Sequence, residues 1–240
     1  MRRRGWIVAL ALATACAPRP VLDRAIVARG GPSGALIRES EVDVFAGVPG
    51  RWEWRTVVAP RELYAWSIVT NDLPNHYLFD GVVVRAFVGE RVVSVDASAD
   101  AALRTHARFV AVADLDVLRA PGVEVTTSPT TDPPGTKLDV VFTDRGDRYE
   151  VWLTAQTLDV WRVAGPIDLS PMARGRLVAT YDDVGSVGGR RIARHIRYAL
   201  DGTPLADERI RRVCMVADRL PATAFASPAA LPACLEPRSP

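Results

Sequence analysis

The sequence predicts a mainly β, single-domain fold: one antiparallel sheet with an apolar face, accompanied by about two helices. Three observations predict it. Long stretches alternate apolar and polar residues with a period of two, as half-buried strands do. Turn-forming pairs such as Asp80-Gly81, Gly188-Gly189 and Asp201-Gly202 separate those stretches. Only two segments of the mature chain carry helical spacing.

Before any of this comes a leader, residues 1–15. Arg2, Arg3 and Arg4 precede a short apolar run from Trp6 to Ala13, too short to span a bilayer and suited to a signal peptide's core. Leu12-Ala13-Thr14-Ala15-Cys16 resembles the bacterial lipobox, whose cysteine becomes the lipidated first residue. Ala13-x-Ala15 also satisfies ordinary signal peptidase, which would release the chain with Cys16 unmodified. The lipidated reading makes residues 16–20 a linker and places the protein in the cell envelope, facing the periplasm. Ala17 carries no signal for inner-membrane retention, so the outer membrane is the expected address.

The first helix is expected over Val21 to Arg29, where Val21, Leu22, Ala25, Ile26 and Ala28 are apolar, and Gly30-Gly31-Pro32 ends it. In Trp52 to Val58 the two indoles share one face while Glu53 and Arg55 share the other. Leu63 to Val69 repeats the pattern, with Tyr64, Trp66 and Ile68 in register. Tyr77 to Val95 reads as hairpin material. Ala97 to Leu118 is rich in Ala and Leu with helical spacing, Ser98 offering a cap and Ala120-Pro121-Gly122 a stop. Ser128 to Gly135 holds three prolines and reads as a surface loop. A meander follows: Leu138-Val140-Phe142, then Tyr149-Val151-Leu153, then Leu158 to Val163 leading to Gly165-Pro166. Arg176 to Tyr181, Ile192 to Leu200 and Asp207 to Val216 complete about ten strands. The domain is thus expected over 21–220, with an Ala/Pro-rich tail over 221–240.

Composition narrows the function. Hydrophobic residues make up 48% of the chain, enough for a substantial core and against disorder. The formal charge is only +2 and no basic stripe carries interleaved aromatics, which argues against nucleic acid as a partner. Arg190-Arg191 and Arg211-Arg212 are expected at solvated strand edges. Of three cysteines, one is spent on lipid in the exported reading. Cys214 and Cys234 then either pair in an oxidising compartment or remain two buried thiols.

Phe79-Asp80-Gly81 before Val82-Val83-Val84-Arg85 is similar to a Tyr-Asp-Gly turn followed by a strand. Tyr181-Asp182-Asp183-Val184, then Gly188-Gly189-Arg190-Arg191-Ile192-Ala193 and Ile196-Arg197-Tyr198, resemble a second recurrent segment, with Val184 and Ala193 in place of the usual aromatic and proline. Together with the order of helix, strands, inserted helix and second meander, these residues resemble the LolA/LolB superfamily, which includes the sensor RseB and LppX-type lipoproteins. The resemblance implies an incomplete half β-barrel with a helical lid, whose concave face shelters acyl chains.

Trp52, Trp54, Tyr64, Trp66, Tyr149 and Tyr198 are the first candidates to line such a cavity, because large rings with a polar tip suit the mouth of an apolar pocket. Ile68, Val140, Phe142, Val151, Leu153 and Ile196 are further candidates, and each equally serves as core. Catalysis finds no support: His76, His106 and His195 are isolated, and no Gly-x-Ser-x-Gly elbow occurs. Asp182-Asp183 and Asp144 with Asp147 read as turn residues rather than metal ligands. Gly185 to Gly189 lacks the Lys of a phosphate loop. No metal and no cofactor is expected. The sequence therefore favours a non-enzymatic lipoprotein that binds lipid or the acyl chains of another lipoprotein, in trafficking or sensing. The alternative is an envelope interaction or assembly module that fills its own cavity and recruits a protein partner.

Overall fold

In a computed structural model of the chain, residues 18–31, 34–60, 63–69, 74–169, 173–216 and 220–234 are described. Cys16 and the leader lie outside them. Thirteen strands among the described residues form one antiparallel sheet, in the order β6-β5-β4-β3-β2-β1-β13-β12-β11-β10-β9-β8-β7. The sheet is not closed into a barrel, because β6 and β7 end it at opposite edges.

The chain lays this sheet down as two meanders. The first is β1 (Ala35–Val44), β2 (Gly50–Ala59), β3 (Leu63–Val69), β4 (Pro74–Phe79), β5 (Val84–Val88) and β6 (Arg91–Val93). The second is β7 (Val123–Thr131), β8 (Pro134–Phe142), β9 (Asp147–Thr154), β10 (Val160–Leu169), β11 (Ala173–Val187), β12 (Arg190–Leu200) and β13 (Thr203–Val216). Pairing of β1 with β13, from Ala35 opposite Val216 to Val44 opposite Ala206, joins the halves. Helix α1 (Pro18–Ala28) precedes the sheet, and α2 (Ala97–Val112) is inserted between the meanders.

Both helices cover one face. Val21, Leu22, Ala25 and Ile26 of α1 and Phe109, Ala111 and Val112 of α2 share one buried cluster with residues of β8 to β13. Leu103 and Ala107, earlier in α2, share another with Val58, Tyr64, Trp66 and Ile68 of β2 and β3. The cap of α2 is Asp96, whose carboxylate accepts from the Ala99 N–H at 2.8 Å, rather than the expected Ser98. A 3₁₀ turn over Asp116–Arg119 replaces the expected last turn of that helix.

Strand β1, like β3, lacks a wet face where both sides of the sheet are covered. Ala35, Leu36 and Ile37 are all buried, since both faces of the sheet are covered there. On the second face, Ile37, Val57, Ala65, Leu78 and Phe87 pack with Phe225, Leu231 and Cys234. The Ala/Pro-rich segment expected as a tail, with Cys234 available to pin it, forms a second cover, with 3₁₀ turns at Ala222–Phe225 and Pro228–Ala230. A Cys214–Cys234 disulfide, Cα atoms 5.5 Å apart, fastens it to β13.

Two further expectations are corrected. Ser128 to Gly135 is the tip of the β7–β8 hairpin rather than a loop; β7 is an edge strand, where Pro129 and alternating exposure are tolerated. Strand β10 continues through Gly165-Pro166. There the Tyr149 ring lies against Gly165, where a Cβ would collide with it.

Candidate functional site

Alternation along the strands places Arg38, Ser40, Val42 and Val44 of β1, Trp52 and Trp54 of β2, and Tyr64, Trp66 and Ile68 of β3 on the face beneath α2. Ala206 and Glu208 of β13 and Ile196 and Tyr198 of β12 continue it. Near the β1–β2 turn this face leaves a small apolar hollow of about 80 Å³, lined by Val44, Trp52, Trp54, Ile167, Leu177 and Tyr198. His106 reaches it from α2. Phe45 and Val48, in the β1–β2 turn, are 55% and 59% exposed beside it.

The aromatic rings are geared together. Trp54 meets Trp66 edge-on with centroids 5.3 Å apart, and Trp54 lies 6.1 Å from Tyr198. The His106 ring sits 4.5 Å from Trp66, and its Nδ1 is 3.3 Å from the Tyr64 hydroxyl. Under these rings lies a buried polar group. Glu208, 1% exposed, accepts from Ser40 Oγ and from Tyr198 Oη, each at 2.6 Å. Arg38, also buried, supplies the opposing charge.

Electrostatics follow from this burial. Burial, with Arg38's charge adding to it, pushes the His106 imidazolium down to about 4, so the ring is neutral at physiological pH. Burial raises the hydroxyls of Tyr64, Tyr181 and Tyr198, and Glu208 raises Tyr198 further. All three remain protonated. Across the polar group a second cavity, about 50 Å³, is lined by Arg29, Arg38, Tyr181, Ile192 and Ile196. Its neighbouring charges are matched. Arg191 holds Asp159 through bonds of 2.8 and 2.7 Å, and Arg190 pairs with Asp114 and, at 3.8 Å, with Asp116. Arg190 is thus 2% exposed and not at a solvated edge as expected.

The cavity-lining candidates divide into three sets. Trp52, Trp54 and Tyr198 line the apolar hollow, and Ile196 the second cavity. Tyr64, Trp66 and Ile68 are packed in the cluster that contains Leu103 and Ala107 of α2. Val140, Phe142, Tyr149, Val151 and Leu153 are fully buried in the cluster shared by both helices, so that half of the concave face is filled.

Alternation alone gives Arg38 and Glu208, which sit on the apolar parity of β1 and β13; a charged residue among inward-facing neighbours is the signal. His106 has no such signal. Asp182 and Asp183, expected in a turn, lie within β11, where Asp182 bonds His195 Nδ1 at 2.7 Å and Asp207 bonds Nε2 at 2.9 Å. Asp144 and Asp147 do sit at a turn, held by Arg108 of α2 at 2.5 and 2.7 Å. Among the described residues no group of three His, Cys, Asp or Glu side chains is arranged to hold a metal ion.

No family model matches the sequence, and no curated protein matches it either. Solved structures do. A LolA superfamily protein from Nitrosomonas europaea superposes with a TM-score of 0.51 at 10% identity, covering 87% of this chain and 96% of that one. An outer membrane lipoprotein-sorting protein domain from Vibrio parahaemolyticus, described as putative, gives 0.53 at 8% identity, covering 86% and 94%. A DUF1329 family protein from Desulfovibrio piger gives 0.54 at 11% identity, covering 90% and 99%. With its open antiparallel sheet and inserted helix, the chain has the LolA-like fold.

Proposed function

We propose that the chain is a non-enzymatic lipoprotein of the cell envelope that binds a hydrophobic ligand, a lipid or the acyl part of another lipoprotein, between the concave face and α2. The observation that carries this reading is the apolar hollow walled by Trp52, Trp54 and Tyr198 beneath a helix and beside the exposed Phe45 and Val48. Removal of apolar surface from water drives such binding, at about 25 cal/mol per Å². Ligand pockets usually enclose roughly 300–1,000 Å³, so a chain of any length enters only as α2 lifts. Cys16 is the lipidation site in this reading, and it tethers the protein to a membrane, the outer one by the residue that follows. Likeness in fold to the lipoprotein-sorting domain from Vibrio parahaemolyticus adds support.

One observation favours the second reading, an interaction or assembly module. The β8–β9 half of the concave face is filled by the protein's own side chains. Native mass spectrometry after gentle extraction separates the two. A population heavier by one lipid is the result expected of a binder; a lipid-free mass accompanied by a stoichiometric protein partner contradicts it and supports the module.

A further inference from the structure

Three hydrogen-bond donors stand together on the concave face with no partner among the described residues: Nε of Arg38, Nε1 of Trp54 and Nε1 of Trp66. Strand register gathers them. Arg38 lies opposite Thr56, Thr56 lies opposite Trp66, and Trp54 is two residues along β2 on the same face. Trp54 walls the apolar hollow, and Trp66 is covered by the His106 ring of α2. Glu208 beside them already takes one hydroxyl on each carboxylate oxygen, from Ser40 and from Tyr198, and reaches none of the three. The face beneath α2 therefore carries three buried donors without a partner, and each such donor is costly.

Charge narrows what completes it. Arg38 and Glu208 offset one another, and His106 is neutral. An added carboxylate would place a second negative charge beside Glu208 in a desolvated site. A plain hydrocarbon would leave all three donors as they are. Resting on the lipid-binding reading above, we infer that the ligand is an acyl ester or amide, whose neutral carbonyl oxygen accepts from the indole N–H groups of Trp54 and Trp66, one on each lone pair, beside Arg38, while its chain lies along the hollow. These bonds form as α2 lifts and His106 moves off Trp66.

Three probes with the same ten-carbon chain test this by calorimetry on the full chain, below their micelle concentrations: monodecanoylglycerol, its ether analogue 1-O-decylglycerol, and decanoate. The ester is expected to bind at least about tenfold more tightly than the ether, the worth of a single one of these buried hydrogen bonds. Trp54→Phe and Trp66→Phe keep a ring and delete the N–H, and each should bring the ester toward the ether's affinity. Trp161→Phe, which removes another partnerless indole N–H on a ring tilted against Trp152, should keep the full preference. Melting temperatures of the variants at or above the wild type verify that they fold. Equal affinity for ester and ether overturns the carbonyl assignment while leaving lipid binding standing. Tightest binding of decanoate overturns the neutral-acceptor argument. Binding of none of the three overturns the assignment and the lipid-binding reading together.

Discussion

Glu208 is the residue on which the concave face depends most. Its carboxylate satisfies Ser40 and Tyr198 and offsets Arg38, all in a site closed to water. Glu208→Ala would strand a buried guanidinium and two hydroxyls, and stability should fall by about 3–5 kcal/mol; urea denaturation reads this directly, and a loss below about 1 kcal/mol would contradict the account. His106 gives a pH signature. The unfolded imidazole takes up a proton as pH falls through 6.5, whereas the folded one resists until about 4. Protons therefore favour the unfolded chain in that window, and stability should be full above about pH 6.5 and lower by roughly 3 kcal/mol near pH 4. His106→Gln should flatten the slope between those values, while His76→Gln leaves most of it. An unaltered slope in His106→Gln would show that the ring is not held neutral by the fold. At this scale the shared face of Trp52 and Trp54 was legible, because the rings alternate with Arg51, Glu53 and Arg55. His106 was not, since a lone histidine in a helix carries no mark of the strands it will face.

Helix α2 is the element whose position decides whether the hollow is open. Its apolar side is buried along β10 and over β2 and β3, and Arg108 ties it to the β8–β9 turn through Asp144 and Asp147 while stacking 4.7 Å over Phe142. The Arg108 guanidinium beside Asp144 holds that carboxyl below its usual range. Arg108→Met keeps the aliphatic packing and removes the charge. It should destabilise the protein by about 2 kcal/mol and speed amide hydrogen exchange within α2 more than within β10 to β12. Equal protection of α2 in the variant and the wild type would contradict a tethering role. Elements were legible where one face is wet, as in β8, β9, α1 and the first half of β2; β3 is buried on both faces, and only its aromatic residues mark it. Strand β1 was hidden because α2 covers one side and the C-terminal segment the other, which erases the period of two. Strand β7 was hidden for the opposite reason, being a polar edge that buries little.

At the scale of the whole molecule, one curved sheet is covered twice, by helices on its concave side and by a disulfide-fastened segment on the other. Cys214 and Cys234 close a loop of 20 residues' separation, which restricts the unfolded chain by about 3 kcal/mol. Cys214→Ser with Cys234→Ser should lower stability by that order. Phe225→Ala, emptying a fully buried site under the same segment, should cost about 3–4 kcal/mol by itself. Thermal melts with and without reductant check both, and a wild-type melt indifferent to reductant would contradict the cover's dependence on the bridge. The mainly β class and the LolA-like order of elements were readable from turns and alternation across the chain. The extent to which helices fill the concavity was not, because apolar residues of a sheet face look alike whether they meet a helix or a ligand. A photoactivatable decanoyl probe with peptide mapping settles where an acyl chain goes. The account predicts label on peptides carrying Trp52, Trp54, Tyr198 and the middle of α2, and label confined to the C-terminal segment, or none above background, would contradict it.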